Sequence, residues 1–198
     1  MTVTRTALDG VVVIEPAVFA DRRGTFSETF SERDFAAVWA KSGLEPSLLE
    51  PSAIAPPHFV QDNESRSRRG VVRGLHFQKP PHAQAKLVRV SAGRILDVAV
   101  DMRSGSPTFG HHVAVELSAE NRRQLFIPRG FAHGFVALED NTTVAYKCDE
   151  YYAPECDGGV LWCDPTLGID WGVKPSEAIV SDKDAALPTL SNAYKFEL

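Results

Sequence analysis

The sequence has little cysteine, and its cysteines are not arranged as in a disulfide framework. Cys148, Cys156 and Cys163 are an odd number, and no CxxC pair occurs. Disulfide scaffolds and most structural zinc sites need even sets or closely spaced pairs of cysteines. We therefore expect three free thiols in a reducing compartment, the cytoplasm.

Long apolar runs and an excess of positive charge are also missing. No stretch approaches the roughly 20 apolar residues that a membrane-spanning helix needs, and the first residues lack the apolar segment of a signal peptide. The chain carries 21 Lys and Arg against 26 Asp and Glu, a net charge of -5. Such a chain is a poor general binder of nucleic acid or of anionic membranes, although it can hold one local basic pocket. The charge balance is compatible with binding of a small anionic ligand.

What the sequence does contain is a succession of short apolar segments separated by turn residues. They are rich in Val and Ile and are bounded by Gly, Pro, Asn or Asp, as β-strands are. They read VVVIEP, KLVRVSAGRILDVAVDM, HHVAVELS, RRQLFIP, GFVAL and TTVAYKC. Many short strands with little helix predict an all-β jelly-roll barrel or sandwich with a few short helices. At 198 residues, one domain spanning 1–198 is expected.

The segment SERDFAAVWAKSG predicts one good helix. Ser31 can cap its first turn with Asp34 in the partner position of a capping box, and Gly43 offers a stop. The predicted apolar stripe consists of Phe35, Val38 and Trp39. The proline-punctuated segment LEPSLLEPSAIAPPHF then predicts a surface loop, and SDKDAALPTL predicts a single helical turn near the end.

The segment HFQKPPHAQAKL raises the question of a metal site. Metal-dependent barrels of this architecture present an HxH pair followed by a carboxylate, but here Gln78 follows His76 and no acidic residue precedes Lys86. A later segment keeps the PxGxxH signature of the second cupin motif as Pro128, Gly130 and His133. An open metal site typically needs about three protein ligands. We therefore expect no metal and no other cofactor, and a pocket better suited to acid–base chemistry.

A series of distinctive blocks occurs in order along nearly the whole chain. They are FADRRGTFSE, FVQDNESRS, VVRGLHFQ, KLVRVSAGRILDVAVDMR, SPTFG, RRQLFIPRGFAHGF, YKCDEYYAPECDGG, LWCDPTLGIDW and SDKDAALP. Their order and spacing resemble the dTDP-4-dehydrorhamnose 3,5-epimerase family, whose members are metal-free, cupin-like jelly rolls. Thr25 and Asp157 depart from the usual pattern of that family, as does the extended loop EPSLLEPSAIAPP.

The resemblance implies a definite reaction. Family members invert C3 and C5 of a 4-keto-6-deoxyhexose carried on dTDP, converting dTDP-4-dehydro-6-deoxy-D-glucose to dTDP-4-dehydro-L-rhamnose. Both carbons adjoin the C4 carbonyl, so loss of either proton gives an enolate that can be reprotonated on its other face. This chemistry needs a base on one face, an acid on the other and a positive group at the developing oxyanion.

The resemblance also implies a role for four side chains. His76 is the base, Asp184 its carboxylate partner, Lys86 the cation at the C4 oxygen and Tyr146 the acid. Taken alone, His76 and Tyr146 fit a core histidine and a core tyrosine equally well. For Asp184 and Lys86 the residues alone favour a surface or helix-cap aspartate and an exposed lysine. Two tyrosines compete with Tyr146 on sequence alone, Tyr151 and Tyr152.

The remaining implications concern binding. The family's substrate-binding positions correspond to Arg23, Glu28, Gln61, Asp62, Asn63, Arg73, Lys86, His133, Asp157 and Lys183. The expected partners are a dTDP-sugar and a second copy of the chain, in a homodimer whose N-terminal segment reaches the neighbour's site. Three alternatives stay open: a C3-only epimerase, a 3,4-ketoisomerase and a non-catalytic cupin that binds sugar nucleotides.

Overall fold

A computed structural model describes residues 1–42 and 56–198, and within them the chain is mostly β-strand. The strands are β1 (Thr2–Arg5), β2 (Val12–Glu15), β3 (Phe19–Asp21), β4 (Gly24–Phe26), β5 (Gln61–Ser67), β6 (Val72–Gln78), β7 (Lys86–Ala92), β8 (Arg94–Asp101), β9 (Arg103–Ser104), β10 (His112–Ser118), β11 (Gln124–Ile127), β12 (Phe131–Ala137), β13 (Thr142–Cys148), β14 (Asp157–Gly159) and β15 (Phe196–Glu197). The helices are α1 (Glu32–Ser42), α2 (Asp182–Ala185) and a 3₁₀ turn at Pro154–Cys156. The predicted all-β class and the single helical turn near the end are confirmed.

Two antiparallel sheets face each other. One has the strand order β1-β2-β11-β7-β13-β5 and the other β10-β8-β12-β6-β14. Consecutive strands β7 and β8 lie in different sheets, and the sheet orders do not follow the chain order, as in a jelly roll. Inward-facing residues of both sheets form one apolar core that includes Val88, Leu125 and Val144 from the first and Ala99 and Phe135 from the second. None of the helices in the described ranges is long and apolar enough to span a membrane.

The helix α1 covers the outer face of the six-stranded sheet. The backbone N–H of Asp34 donates to the hydroxyl of Ser31 at 3.4 Å, so the predicted cap is confirmed. Phe35 is buried, and the ring of Trp39 meets that of Phe126 edge-on at 5.4 Å. Outside the described residues lie the predicted stop at Gly43, most of the proline-rich loop and the side chain of Val38.

Strand β5 was not predicted, because its sequence QDNESRS has no apolar alternation. Its burial nevertheless alternates: Gln61 and Asn63 are partly buried, whereas Asp62 and Glu64 are exposed. The strand pairs with β13 and ends the six-stranded sheet. A polar strand forms here because its inner face borders a polar cleft, described below, and its outer face is exposed.

The end of β8 is fixed by the fully buried carboxylate of Asp101. It accepts hydrogen bonds from Arg103 at 2.7 and 2.8 Å and from the hydroxyls of Ser106 and Thr108, each at 2.7 Å. The Arg103 guanidinium also lies 4.4 Å from the ring centre of Phe131. Burial alone would raise the pKa of Asp101, but these hydrogen bonds outweigh it and lower that pKa. Asp101 therefore stays ionised and holds the turn after β8.

Replacing Asp101 should destabilise the fold strongly. Asp101→Ala is expected to lower the free energy of unfolding by about 3 to 5 kcal/mol, because it leaves the buried Arg103 without a counter-charge. Glu116→Ala, which removes an exposed partner of Arg94 at 3.5 Å, is the control and should cost less than about 1 kcal/mol. Urea unfolding at neutral pH measures both.

The pH dependence of stability gives a second test of the role of Asp101. Because the folded-state pKa of Asp101 is lowered, its stabilisation is complete above the pKa of the unfolded carboxyl and is lost as the pH falls through the folded value. The stability gap between the parent and Asp101→Ala should therefore narrow in acid. Equal losses for Asp101→Ala and Glu116→Ala would contradict this role.

Candidate active site

A cleft of about 320 Å³ opens between the two sheets. Strands β5, β7 and β13 of one sheet and β6 and β14 of the other contribute to its walls, together with α2. Its lining residues are Gln61, Asn63, His76, Phe77, Gln78, Gln84, Lys86, Tyr146, Tyr152, Asp157 and Lys183. Most of the residues singled out from the sequence are therefore brought together.

One wall of the cleft carries a histidine–carboxylate pair. His76 Nε2 lies 2.8 Å from Asp184 Oδ1, and Asp184 Oδ2 accepts the backbone N–H of Gly74 at 3.0 Å. Burial raises the pKa of Asp184, but the hydrogen bonds from His76, Gly74 and Ser181 and the charge on His76 lower it overall. An ionised carboxylate only accepts hydrogen bonds, so Nε2 carries the hydrogen and Nδ1 of His76 is the basic atom.

The carboxylate of Asp184 reaches His76 because α2 packs against β6. Ser181 caps α2, accepting the N–H of Asp184 at 3.1 Å. Gly74 has a positive φ of 119°, and a Cβ there would lie 2.6 Å from the Cα of Gly134. Glycine is thus required at position 74, where the backbone turns its N–H towards Asp184.

Lys86 stands on the facing sheet, as the first residue of β7. It is paired across the strands with Cys148 of β13. Burial lowers the pKa of the Lys86 ammonium, and this effect outweighs the opposing influence of nearby negative groups. Those groups are Cys148, Asp97 and Asp157.

Tyr146 also belongs to the facing sheet, on β13. Burial raises the pKa of its phenol, as does Cys148, while the charge of Arg73 lowers it; the net shift is upwards. The phenol is therefore protonated at neutral pH and able to donate. Because His76 projects from one sheet and Tyr146 from the other, a molecule held between them meets a base on one side and an acid on the opposite side.

Polar groups line the rest of the cleft. The Lys183 ammonium donates to the Asp157 carboxylate. Along β5, Gln61 Nε2 donates to Asn63 Oδ1 at 3.0 Å, and the backbone N–H of Tyr152 donates to Gln61 Oε1 at 3.0 Å. Both signs of charge and several amide groups are thus available to a polar ligand.

Gln78, at the position of the missing metal ligand, has a structural task. Its amide nitrogen donates to the carbonyls of His82 and Tyr151 at 2.8 and 3.1 Å, and its amide oxygen accepts the N–H of Ala153 at 2.8 Å. Gln78 therefore ties two loops to β6. Among the described residues, no group of three or more His, Cys, Asp or Glu side chains is placed to hold a metal ion.

Five predicted binding residues lie outside the lining of this cleft, and three of them belong to strands of the two sheets. Asp62 alternates with Gln61 and Asn63, so it projects from the opposite face of β5, where it pairs with Lys147 at 2.7 Å. Arg73 is exposed, although its charge reaches Tyr146. His133 is buried.

The other two are Arg23, in the turn of the N-terminal hairpin formed by β3 and β4, and Glu28, just after that hairpin. Both are exposed, and the guanidinium of Arg23 contacts the carboxylate of Asp21 at 2.6 Å. The same hairpin exposes two large apolar residues, Phe19 at 64% and Phe26 at 69%. Within one chain, the hairpin does not contribute to the cleft around His76.

The pattern of these elements matches a known family. Residues 5–192 match the family model described as dTDP-4-dehydrorhamnose 3,5-epimerase. The chain belongs to this family. Its members are isomerases, so the enzyme class implied by the sequence is confirmed.

Individual members of the epimerase family are similar over most of their length. The epimerase of Methanothermobacter thermautotrophicus is 52% identical over 91% of this chain and 89% of the relative. A crystal structure of the 3,5-epimerase of Legionella pneumophila in complex with dTDP-4-keto-L-rhamnose is 43% identical, with a TM-score of 0.85 over 96% of this chain and 93% of that one. A 3′-monoepimerase of Streptomyces bikiniensis in complex with dTDP-quinovose is 34% identical, with a TM-score of 0.80 over 94% of this chain and 86% of that one.

Some residues around the cleft escaped the sequence reasoning. Gln84 lines the cleft and donates to the carbonyl of Glu150 at 2.6 Å, but nothing in the segment KPPHAQAK distinguishes it. Asp97 is a fully buried acid whose charge acts on Lys86. The sequence could have indicated Asp97, because it is the single acidic residue within the apolar run ILDVAV. Burying an ionisable group is costly unless the group has a partner.

The three cysteines should differ sharply in reactivity. All are free thiols; Cys148 and Cys156 are buried and Cys163 is exposed. Burial raises the pKa of the Cys148 thiol to about 11, so at a pH of about 8 only roughly one molecule in a thousand carries the reactive thiolate. Iodoacetamide should therefore modify Cys163 rapidly in the native protein and the other two only after unfolding, as peptide mass spectrometry would show.

A matched control separates the sites. Cys163→Ser should abolish the fast labelling and leave the labelling of the unfolded chain at the other two cysteines unchanged. Rapid alkylation of native Cys148 would contradict its burial beside Lys86.

Proposed function

We propose that this chain epimerises C3 and C5 of dTDP-4-dehydro-6-deoxy-D-glucose, giving dTDP-4-dehydro-L-rhamnose. One observation carries the proposal: a single cleft presents the His76–Asp184 pair on one sheet and Tyr146 with Lys86 on the other. Inversion at a carbon beside a carbonyl needs this opposition of base and acid. The activity belongs to one jelly-roll domain spanning 1–198, acting in the cytoplasm without a metal or other cofactor.

The first step is removal of a proton next to the C4 carbonyl. His76 Nδ1 takes the proton, because Nε2 is committed to Asp184 at 2.8 Å. The Asp184 carboxylate then stabilises the imidazolium that forms and keeps the ring in orientation. The electrons left on carbon move to the C4 oxygen as an enolate.

The second step returns a proton to the opposite face. The Lys86 ammonium stabilises the enolate oxygen, a charge that is small in the ground state and large in the transition state. Tyr146 donates its phenolic proton to the carbon, and the positive charge of Arg73 favours the resulting phenolate. The same groups serve at C3 and at C5, because both carbons adjoin the same carbonyl.

The nucleotide part of the substrate extends beyond these groups. We assign binding of the sugar nucleotide to Gln61, Asn63, Asp157 and Lys183 within the cleft and of the pyrophosphate to Arg73 at its edge, with Asp62 and His133 in supporting positions. Arg23 and Glu28 reach the neighbouring subunit's cleft in a homodimer. The exposure of Phe19 and Phe26 beside Arg23 supports this arrangement, since a partner would bury them.

A C3-only epimerase is the second candidate. The similarity to the Streptomyces bikiniensis 3′-monoepimerase supports this second candidate. The same base, acid and cation would serve inversion at one carbon as well as at two. The number of carbons that exchange with solvent distinguishes the two functions.

Isotope exchange in D2O tests the mechanism. With the parent enzyme, deuterium should enter at both C3 and C5, as followed by NMR of the 4-keto substrate. His76→Asn should suppress exchange at both carbons by about 10² to 10⁴, because the base that starts each step is missing. Tyr146→Phe should still admit deuterium with retention of configuration while net inversion falls.

Tyr151→Phe is the control, since Tyr151 is exposed and its side chain does not line the cleft; it should invert both carbons at close to the parent rate. Normal exchange in His76→Asn would show that His76 is not the base. Normal inversion in Tyr146→Phe would show that Tyr146 is not the acid and would make Tyr152 the next candidate. Deuterium at C3 alone in the parent would assign the chain to the C3-only class.

The shared site in the dimer is tested by mixing inactive variants. Arg23→Ala and His76→Asn should each lose most activity, but a heterodimer of the two contains one site without either lesion. Co-expression should recover about a quarter of the parent activity, from half of the dimers and one of their two sites.

The control pairs His76→Asn with Asp184→Asn. Both changes alter the same wall of one chain's cleft, so neither site of that heterodimer is intact and no recovery is expected. Absence of recovery in the first mixture, with dimers shown by light scattering, would rule out an exchanged Arg23.

A further inference from the structure

Asp97 is a buried charge whose hydrogen bonding is incomplete. It lies in the middle of β8 with no exposed surface. Its Oδ1 is 2.7 Å from His133 Nε2, whereas its Oδ2 has no hydrogen-bond partner in the described part of the chain. His133 sits directly across the strands from His76, so this pair adjoins the base.

An ionised carboxylate in such a position needs a positive charge nearby. Removing it from water costs several kcal/mol unless a counter-charge or a full set of hydrogen bonds compensates. His133 supplies one hydrogen bond, to Oδ1, and leaves Oδ2 without a donor among the described residues. Lys86 projects from the facing sheet into the same interior, because Val88 of β7 and Ala99 of β8, two residues along from Lys86 and Asp97, pack in one core cluster. The charge of Asp97 raises the pKa of Lys86, although burial lowers it overall.

The buried ammonium of Lys86 in turn needs a negative charge nearby to stay protonated. In the described ranges its ammonium forms no hydrogen bond or ion pair with a side chain, and its negative neighbours are Cys148, Asp97 and Asp157. The Cys148 thiol, whose pKa is about 11, is neutral at physiological pH. Asp157 already accepts a hydrogen bond from Lys183. Within the described structure, Asp97 is therefore the one of these three with a buried carboxylate oxygen left unpartnered, and its bonded neighbour is a histidine and not a lysine or arginine.

The other titratable groups at the cleft do not replace Asp97. Tyr146 on β13 is a neutral phenol, and His76 on β6 is bound to Asp184 of α2. Lys183 adds positive charge to the same cleft, which disfavours a second ammonium. An amine buried here without Asp97 would tend to lose its proton, and a neutral amine cannot stabilise an oxyanion.

We propose that Asp97 is a positioning residue that keeps Lys86 protonated inside the cleft, and that His133 holds the Asp97 carboxylate in place. The catalytic part of this inference rests on the proposed function, in which Lys86 faces the enolate oxygen. The protonation of Lys86 itself does not depend on that function and can be measured separately.

The test is Asp97→Asn, which keeps an oxygen acceptor for His133 and removes only the charge. Lysine labelled with 13C and 15N is titrated by NMR, and the Lys86 signal is assigned by its absence in Lys86→Arg. In Asp97→Asn the Lys86 amine should lose its proton at a lower pH than in the parent. Asp164→Asn is the control, because Asp164 is also buried but bonds only backbone N–H groups of Thr166 and Leu190; it should leave the titration unchanged.

Kinetics give the second readout. The kcat of Asp97→Asn should stay within a few-fold of the parent at about pH 6 and fall as the pH rises, towards the ~10² to 10³ loss typical of a missing oxyanion donor. KM should change less than kcat, since Asp97 itself does not line the cleft and Asp97→Asn keeps an oxygen acceptor for His133. A uniform loss at every pH would indicate a purely structural role and overturn the proposal.

Two outcomes keep this inference apart from the proposed function. An unchanged Lys86 titration in Asp97→Asn overturns the inference even if the enzyme epimerises as proposed, whereas a shifted titration supports it even without epimerase activity. If Asp97→Asn does not fold, Lys86→Met reads the same coupling from the other side. Asp97 should then bind a proton at a higher pH than in the parent, as its 13Cγ shift would report; an unchanged shift would refute the coupling.

Discussion

The gap between two antiparallel sheets is the constraint on which the site depends. Side chains on a strand alternate between its two faces, so each strand offers the gap only every second residue. The cross-strand register then decides which of these inward residues meet: His76 with His133 in one sheet, Lys86 with Cys148 in the other. A shift of one residue in β6 would turn His76 away from Lys86 and remove the proposed base from the cleft.

This constraint also explains what the sequence could and could not predict. The apolar strands were predictable because burial on one face leaves a period of two in the sequence. Strand β5 was not, since its inner residues serve a polar cleft. The pairing of His76 with Asp184 was outside the reach of any local pattern, because the two residues lie 108 positions apart and meet only when α2 docks. Their catalytic roles were inferred from the family resemblance, whereas their contact is visible only in the folded structure.

Charge within the gap is arranged in short-range pairs. Asp184 faces His76, and Asp157 faces Lys183, so each carboxylate is offset by a neighbour. Burial raises the pKa of a carboxyl, and for Asp184 the hydrogen bonds from His76, Gly74 and Ser181 reverse this effect and lower it. Asp101, at the far end of β8, follows the same rule with Arg103. These contacts fix the orientation of the charged side chains within the fold.

The docking of α2 makes the site depend on the last part of the chain. The strands that line the cleft end at Gly159, whereas Asp184 comes later, in a helix of four residues outside both sheets. Residues beyond Gly159, among them Trp162, Trp171 and Phe196, also complete the apolar layer packed against the second sheet. Removing this last segment would therefore take away part of the core together with the carboxylate that orients His76.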